Sequence, residues 1–389
     1  MLKPEEYRSR FPILQSKIHL ANCSQAPLSI DAIEAISRYE HSLTQVGMDW
    51  SGWTEEVEFA RAEFARLIGA SANDVGVMSS VSDTVSAIAS CLPIYGRKRI
   101  VTTVDEFPTV GHTWLASAHH ERANVTFVRS SDGFYTAEMI APYLGQNTAI
   151  LSVHLVSYYS SALQNIQELA DVAHRHGALL LVDAYQGLGT VPLSVKESGA
   201  DIVVSGTLKY LLGIPGIAFI YVRPGLSNDL QPAMTGWFGR VNPFHFDATQ
   251  LDFAPGGRRF DMGTPPIIAA YAACAGMRII QEVGVPAIHQ HVQKISQQVI
   301  DGARARGLEV ASPLDVTKKG ASTAIRVGPR SHEIETEMLK RGVILSSRAD
   351  VIRIAPHFFT TPADIETALN ELAEVCTTGS SSSSTTHGS

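Results

Sequence analysis

Residues 178–222 read ALLLVDAYQGLGTVPLSVKESGADIVVSGTLKYLLGIPGIAFIYV, and their reading decides the fold. The branched apolar run Ala178 to Val182 has the length of a buried strand and ends on a carboxylate, Asp183. A second run, Asp201 to Val204, ends in Ser205-Gly206-Thr207-Leu208-Lys209. A third, Ile217 to Val222, follows the turn sequence Gly213-Ile214-Pro215-Gly216. In α/β sheets ligands bind at the carboxyl ends of the strands. An acid leaving one strand and a lysine leaving the next can therefore face one crevice.

Outward from this stretch the same alternation continues. Val75 to Met78, Ile100 to Val104, Val125 to Val128 and Ala149 to Val153 read as strands. Ile30, Ile33, Ile36 and Leu43 recur at helical spacing, as do Val57, Ala60, Phe64 and Leu67. A further helix carries Leu163, Ile166 and Leu169 on one face and stops at Gly177. Strand and helix in alternation predict an α/β fold with a mostly parallel sheet flanked by helices. Beyond Thr264, long helices and short strands predict a smaller α+β C-terminal domain. The expected division is an N-terminal arm over 1–20, a large domain over 21–263, a small domain over 264–376 and a disordered low-complexity tail over 377–389.

The 389 residues are 45% hydrophobic and 18% charged, enough for two globular domains. A net charge of −7 without a long basic run argues against nucleic-acid binding. The longest near-apolar stretch, Pro265 to Met277, is too short to span a bilayer, and MLKPEEYRSR has no apolar signal core. A cytoplasmic protein with no membrane partner is expected. Four cysteines without CxxC spacing predict neither zinc nor a disulfide framework, and no metal is expected.

The acid and the lysine point to one chemistry. Pyridoxal phosphate (PLP) needs a lysine amine for its Schiff base and an acid beside its pyridine nitrogen. Lys209 and Asp183 suit these roles, Gln186 can donate to the ring hydroxyl, and Ser205 and Thr207 are small hydroxyl residues suited to a phosphate. Taken singly, an acid after a strand is a turn residue and a loop lysine is a solvated charge. Their order and spacing together favour the cofactor.

The motifs Val182 to Gln186 (VDAYQ) and Ser205 to Gly216 (SGTLKYLLGIPG) resemble the class V aminotransferase group of fold-type I PLP enzymes. The group includes cysteine desulfurases, kynureninases and isopenicillin N epimerase-like proteins. The likeness runs from about Ile18 to Ala373 and implies a seven-stranded sheet in the large domain. It places the PLP phosphate on Val81 and Ser82, at a helix start whose amides and hydroxyls suit a dianion. It makes Phe107 the aromatic that stacks on the ring. It puts His154 with Ser157 and Tyr158 near cofactor or substrate, and Asn22 or Ser24 near substrate. Phe260 to Pro266 resembles a loop whose Thr264 reaches the phosphate of a neighbouring subunit, which implies a homodimer with shared sites. Arg353 corresponds to the arginine that pairs with the substrate carboxylate. Arg348 is either a second such residue or a partner of Asp350.

The resemblance implies a small-molecule amino acid substrate. Lys209, once displaced from the cofactor, is the base for the α-proton. Desulfurases carry a nucleophilic cysteine shortly before the carboxylate arginine, but Ile344 to Arg353 contains none. Desulfuration is therefore disfavoured. A transaminase is the leading expectation. A lyase breaking a C–C or C–S bond, or an epimerase, is the alternative. A non-catalytic scaffold is disfavoured by the presence of Lys209, Asp183 and Arg353 together.

Overall fold

Six strands of one large sheet run in the same direction, and their carboxyl ends form the floor of the site. The computed structural model describes residues 2–378. After a two-residue strand, β1 (Ile18–His19), come β2 (Val75–Met78), β3 (Arg99–Thr103), β4 (Asn124–Val128), β5 (Thr148–His154), β6 (Leu179–Asp183), β7 (Ile202–Gly206) and β8 (Ala218–Val222). The seven longer strands form one sheet in the order β2-β8-β7-β6-β5-β3-β4. Strands β3 to β7 pair in parallel, and β8 is antiparallel to both of its neighbours, β2 and β7.

Every residue of β6, β7 and β8 is buried, so these strands read as apolar runs without alternation. The cause is a helical layer on each face. The helices are α1 (Ile30–His41), α2 (Trp50–Leu67), α3 (Val81–Ser90), α4 (Pro108–His119), α5 (Ile166–Arg175) and α6 (Ile267–Val283). Leu180 and Val182 of β6 pack with Phe64 of α2, Leu169 of α5 and Met277 of α6. Leu179 and Leu181 point the other way, onto Ile88 of α3 and Trp114 of α4.

The C-terminal unit comprises α7 (Val285–Ala305), β9 (Glu309–Val310), β10 (Thr323–Arg326), α8 (Ser331–Lys340), β11 (Val343–Ile344), β12 (Ser346–Arg348), β13 (Val351–Ile354) and α9 (Pro362–Thr378). Its four-stranded antiparallel sheet has the order β12-β13-β10-β9. The first residues of the chain join this unit. Strand β1 pairs in parallel with β11, Leu20 enters the core with Ile325, Ile352 and Leu369, and Arg8 pairs with Asp364 at 2.6 Å.

Two expected boundaries move. Helix α6, assigned from sequence to the small domain starting at 264, packs against α1 and α2 and shares the core of the large sheet. We therefore set the division at Gly284, whose φ of +87° breaks the chain between α6 and α7. Helix α9 runs on to Thr378, so residues 377 and 378 are helical and not part of a tail. The remainder of the expected tail, 379–389, lies outside the described residues. Among the described residues no single helix is long and apolar enough to cross a membrane.

Candidate active site

A cavity of about 370 Å³ opens over the carboxyl ends of the parallel strands. Asp183 closes β6 and stands in register with His154 at the end of β5. Its Oδ1 accepts the Tyr185 amide at 2.9 Å. Burial pushes its pKa up to about 6, against the pull of that amide, with Glu106 raising it further and Lys209 and His154 opposing. His154 is buried between Glu106 Oε1 (3.0 Å from Nδ1) and Gln164 Nε2 (3.2 Å from Nε2). Thr103 Oγ1 donates to the same Glu106 oxygen at 2.9 Å. If the Gln164 amide donates to Nε2, the His154 proton sits on Nδ1, toward Glu106.

Lys209 arrives from the next strand. After β7 ends at Gly206, a tight turn forms in which the Gly213 amide donates to Thr207 O at 2.9 Å. The lysine amine lies 4.2 Å from the Tyr185 ring centroid and 5.4 Å from that of Phe107. It has no hydrogen-bond acceptor among the described residues and rests against these two rings. Burial pushes its pKa down to about 8, Asp183 opposes, and Arg353 and Arg348 lower it further.

The far wall is the start of α3. Ser80 caps the helix by accepting the Asp83 amide at 3.1 Å, and Ser82 Oγ lies 2.9 Å from Thr109 Oγ1. Val81 and Ser82 sit on the cavity wall, in the first turn, where helix amides have no intrahelical acceptor. Arg353 also lines the cavity and is 1% exposed. It donates to Tyr158 O at 2.8 Å and to Ser346 Oγ at 2.7 Å, its Nε has no partner, and no carboxylate pairs with it among the described residues.

Of the residues singled out from sequence, Lys209, Asp183, Val81, Ser82, Phe107 and His154 meet at this cavity, as do Gln186, Arg348 and Arg353. Gln186 uses Nε2 to bind Cys23 O at 3.0 Å, so that donor ties the N-terminal segment down. Tyr158 and Ser24 also line it, but five residues do not. Ser157 is buried and its Oγ accepts the Tyr159 and Ser160 amides at 3.3 and 3.2 Å. Ser205 is buried and donates to Gly206 O at 2.9 Å, while Thr207 turns inward toward Ile214 O at 3.5 Å. Both hydroxyls are absorbed by local backbone carbonyls. Asn22 is buried with Nδ2 on Ala355 O at 2.7 Å, and its neighbours Cys23 and Ser24 reach the wall instead. Thr264 is exposed ahead of α6. Arg348 does not pair with Asp350, which is taken by Arg326 and by Tyr159 Oη.

Sequence reasoning missed Tyr185, Cys23, Asp105 and Thr109 on the wall. For Tyr185 the signal was available. It lies between Asp183 and Gln186 in the same VDAYQ motif, in the turn that follows β6, where its amide donates to Asp183 Oδ1.

The geometry defines a lysine-centred site on a fold-type I scaffold, and comparison with known proteins places it. A model of the family described as "Aminotransferase class-V" matches residues 19–349. The chain is 40% identical over 370 residues to "Uncharacterized aminotransferase YcbU" of Bacillus subtilis (strain 168), covering 95% of this chain and 97% of that protein. It is 24% identical over 339 residues to a kynureninase of Deinococcus radiodurans, covering 85% and 80%. The apo structure of a cysteine desulfurase from Thermococcus onnurineus NA1 superposes with a TM-score of 0.87 at 20% identity, covering 97% and 99% of the two chains. The chain belongs to the class V aminotransferase family of PLP-dependent enzymes. The wall fits that cofactor in kind: an amine without an acceptor, a carboxylate facing it, and a helix start at the far end.

Proposed function

We propose that this enzyme is an aminotransferase acting on an amino acid, with Lys209 as the residue that holds PLP and later moves the α-proton. The observation that carries the amino acid part of the reading is Arg353, a buried guanidinium without a carboxylate partner among the described residues, lining the same cavity as Lys209. A buried cation without an anion is costly, and a substrate carboxylate relieves that cost. Transamination itself is supported by the 40% identity to a protein named an aminotransferase.

When bound, PLP supplies an aldehyde for amines and a ring that draws electrons from the substrate carbon. The Val81 and Ser82 amides suit its phosphate. Asp183, ionised above about pH 6, keeps a proton on a basic nitrogen facing it. Phe107 and Tyr185 flank the Lys209 amine and keep water from it. With a pKa near 8, that amine accepts and returns a proton close to neutral pH. Arg353 fixes the substrate by its carboxylate, bidentate where a lysine gives only a point charge. The loop Ile344 to Arg353, where desulfurases carry their nucleophilic cysteine, holds none, which disfavours desulfuration, although the Cys23 thiol lines the same cavity. Thr264, exposed and off this chain's own cavity, fits a homodimer in which it serves the neighbouring site.

The test is a half-reaction. Holoenzyme is mixed with single amino acids without a keto acid, and the cofactor absorbance is followed. An aminotransferase leaves the cofactor in its aminated form and releases one keto acid per site. Return to the starting spectrum with release of pyruvate, alanine or ammonia would replace transamination by lyase chemistry.

A further inference from the structure

Among the described residues, neither arginine of the cavity wall is paired with a carboxylate. Asp183 faces Lys209, and Asp105 accepts the Tyr135 phenol at 2.5 Å. Glu106 is held by Thr103 and His154. Two arginines remain, Arg353 and Arg348, and neither has an ion pair among the described residues.

The sheet register puts these two side by side. Ser346 is the direct partner of Arg353 across β12 and β13, and Arg348 lies two residues beyond Ser346. Residues two apart share a face, so both guanidinium groups project from one side of the sheet, as diagonal neighbours about 7–8 Å apart at the backbone. The hairpin that presents Arg348 is held rigidly. Ala349 adopts φ +49°, unusual for a residue with a side chain, and its carbonyl accepts Ser331 Oγ at 2.5 Å. The Val327 and Gly328 amides both donate to Asp350 O at 2.9 Å. The Asp350 carboxylate is engaged by Arg326 and Tyr159, so the nearest acid in sequence is withdrawn from Arg348.

Two unpaired arginines on one face suit two anions on one ligand. Resting on the reading of an amino acid substrate at Lys209, we propose that the substrate is dianionic: Arg353 takes the α-carboxylate and Arg348 takes an acidic group on the side chain. Arg353 is immobilised by Tyr158 and Ser346 and acts as the fixed anchor. Arg348 is exposed at the rim and selects the side chain. The cavity of about 370 Å³ must hold cofactor and substrate together, so the side chain is short, of aspartate or glutamate size.

The experiment uses holoenzyme and two readouts. Calorimetry compares succinate and glutarate with butyrate, and half-reaction kinetics compare aspartate and glutamate with asparagine and glutamine. The proposal expects the dicarboxylates to bind roughly tenfold or more tightly than butyrate, the scale of one charge-assisted contact. In R348Q that advantage is lost, and the acidic-to-neutral ratio of kcat/KM falls by roughly tenfold, mainly through KM. R348K restores part of both. Equal binding of succinate and butyrate by the wild type overturns the proposal. So does an R348Q variant that weakens all ligands alike. If no amino acid alters the absorbance, the transamination reading fails, while the dicarboxylate titration still decides the role of Arg348.

Discussion

Lys209 is predicted to react as an amine at a pH where an ordinary lysine is almost wholly protonated. Burial takes its pKa from 10.5 to about 8, with Asp183 resisting and Arg353 and Arg348 adding to the fall. At pH 7 about one Lys209 in eleven is then neutral, against about one in three thousand for an unperturbed lysine, a gain of about 300-fold in reactive amine. The assay treats cofactor-free protein with PLP from roughly pH 6 to roughly pH 9.5, reduces with borohydride, and quantifies the tagged peptides. Initial tagging at residue 209 should rise about tenfold per pH unit and bend near pH 8, while surface lysines keep rising. Asp183→Asn supplies the sign. The carboxylate favours the charged amine, so its loss should move the bend to lower pH. A bend near pH 10, or one that Asp183→Asn moves upward, would refute the argument that burial sets this amine.

Three further outcomes are expected. Arg353→Lys should lower kcat/KM for the amino acid by about a hundredfold, chiefly through KM in steady-state assays, because an ammonium cannot reproduce the two-pronged contact. Lys319 is buried, with Ser296 Oγ (3.2 Å) and Gly320 O (3.0 Å) as its acceptors among the described residues, and burial takes its pKa to about 7. The native state therefore binds fewer protons than the unfolded chain between about pH 7 and 10.5, and this group adds stability with rising pH across that window, by at most about 1.4 kcal/mol per unit. Urea unfolding of Lys319→Met should show a flatter pH dependence there than the wild type. In Gly206→Ala the added methyl overlaps the hydroxyl end of the Tyr185 ring, which packs against Lys209, so the ring must shift. PLP retention, measured by equilibrium dialysis, should weaken by about tenfold, as overpacking predicts.

How much of this was legible in the residues depended on range. The runs of β6, β7 and β8 declared themselves because strands covered on both faces lose alternation. The insertion of β5 between β3 and β6 is a non-local pairing that no local pattern encodes. Helix α6 was assigned to the wrong unit because it is buried on most sides and Ala-rich, so its periodicity names no single partner layer. In the site, Asp183 and Lys209 stood out through their order and spacing after successive strands, whereas Arg353 was reached only through the resemblance to the family. Ser205 and Thr207 misled because a hydroxyl can satisfy itself on a nearby carbonyl, which only coordinates reveal. Arg348 could not be decided without knowing that Asp350 was already engaged.

The two halves of the chemistry sit on different units of the chain, joined by a shared core around Tyr210 and Phe358, by the His357–Tyr210 O contact, and by the loop after β5. Lys209 and Asp183 belong to the large sheet, whereas Arg353 and Arg348 belong to the C-terminal sheet. The loop after β5 reaches across: Tyr158 O accepts Arg353, Tyr159 Oη donates to Asp350 at 2.6 Å, and Ser161 O accepts the Gly320 amide at 2.8 Å. The loop is itself constrained, with Ser161 at φ +66°. The distance between Arg353 and Lys209 therefore depends on this clamp together with the His357–Tyr210 contact beside Lys209. Tyr159→Phe deletes one hydrogen bond of the clamp while leaving every wall residue in place. It should raise KM by about threefold to tenfold, the worth of one such bond to a charged acceptor, with a smaller effect on kcat. A fall in kcat with KM unchanged would show instead that the clamp acts on the proton transfer at Lys209, and the two units could no longer be treated as anchor and reactor.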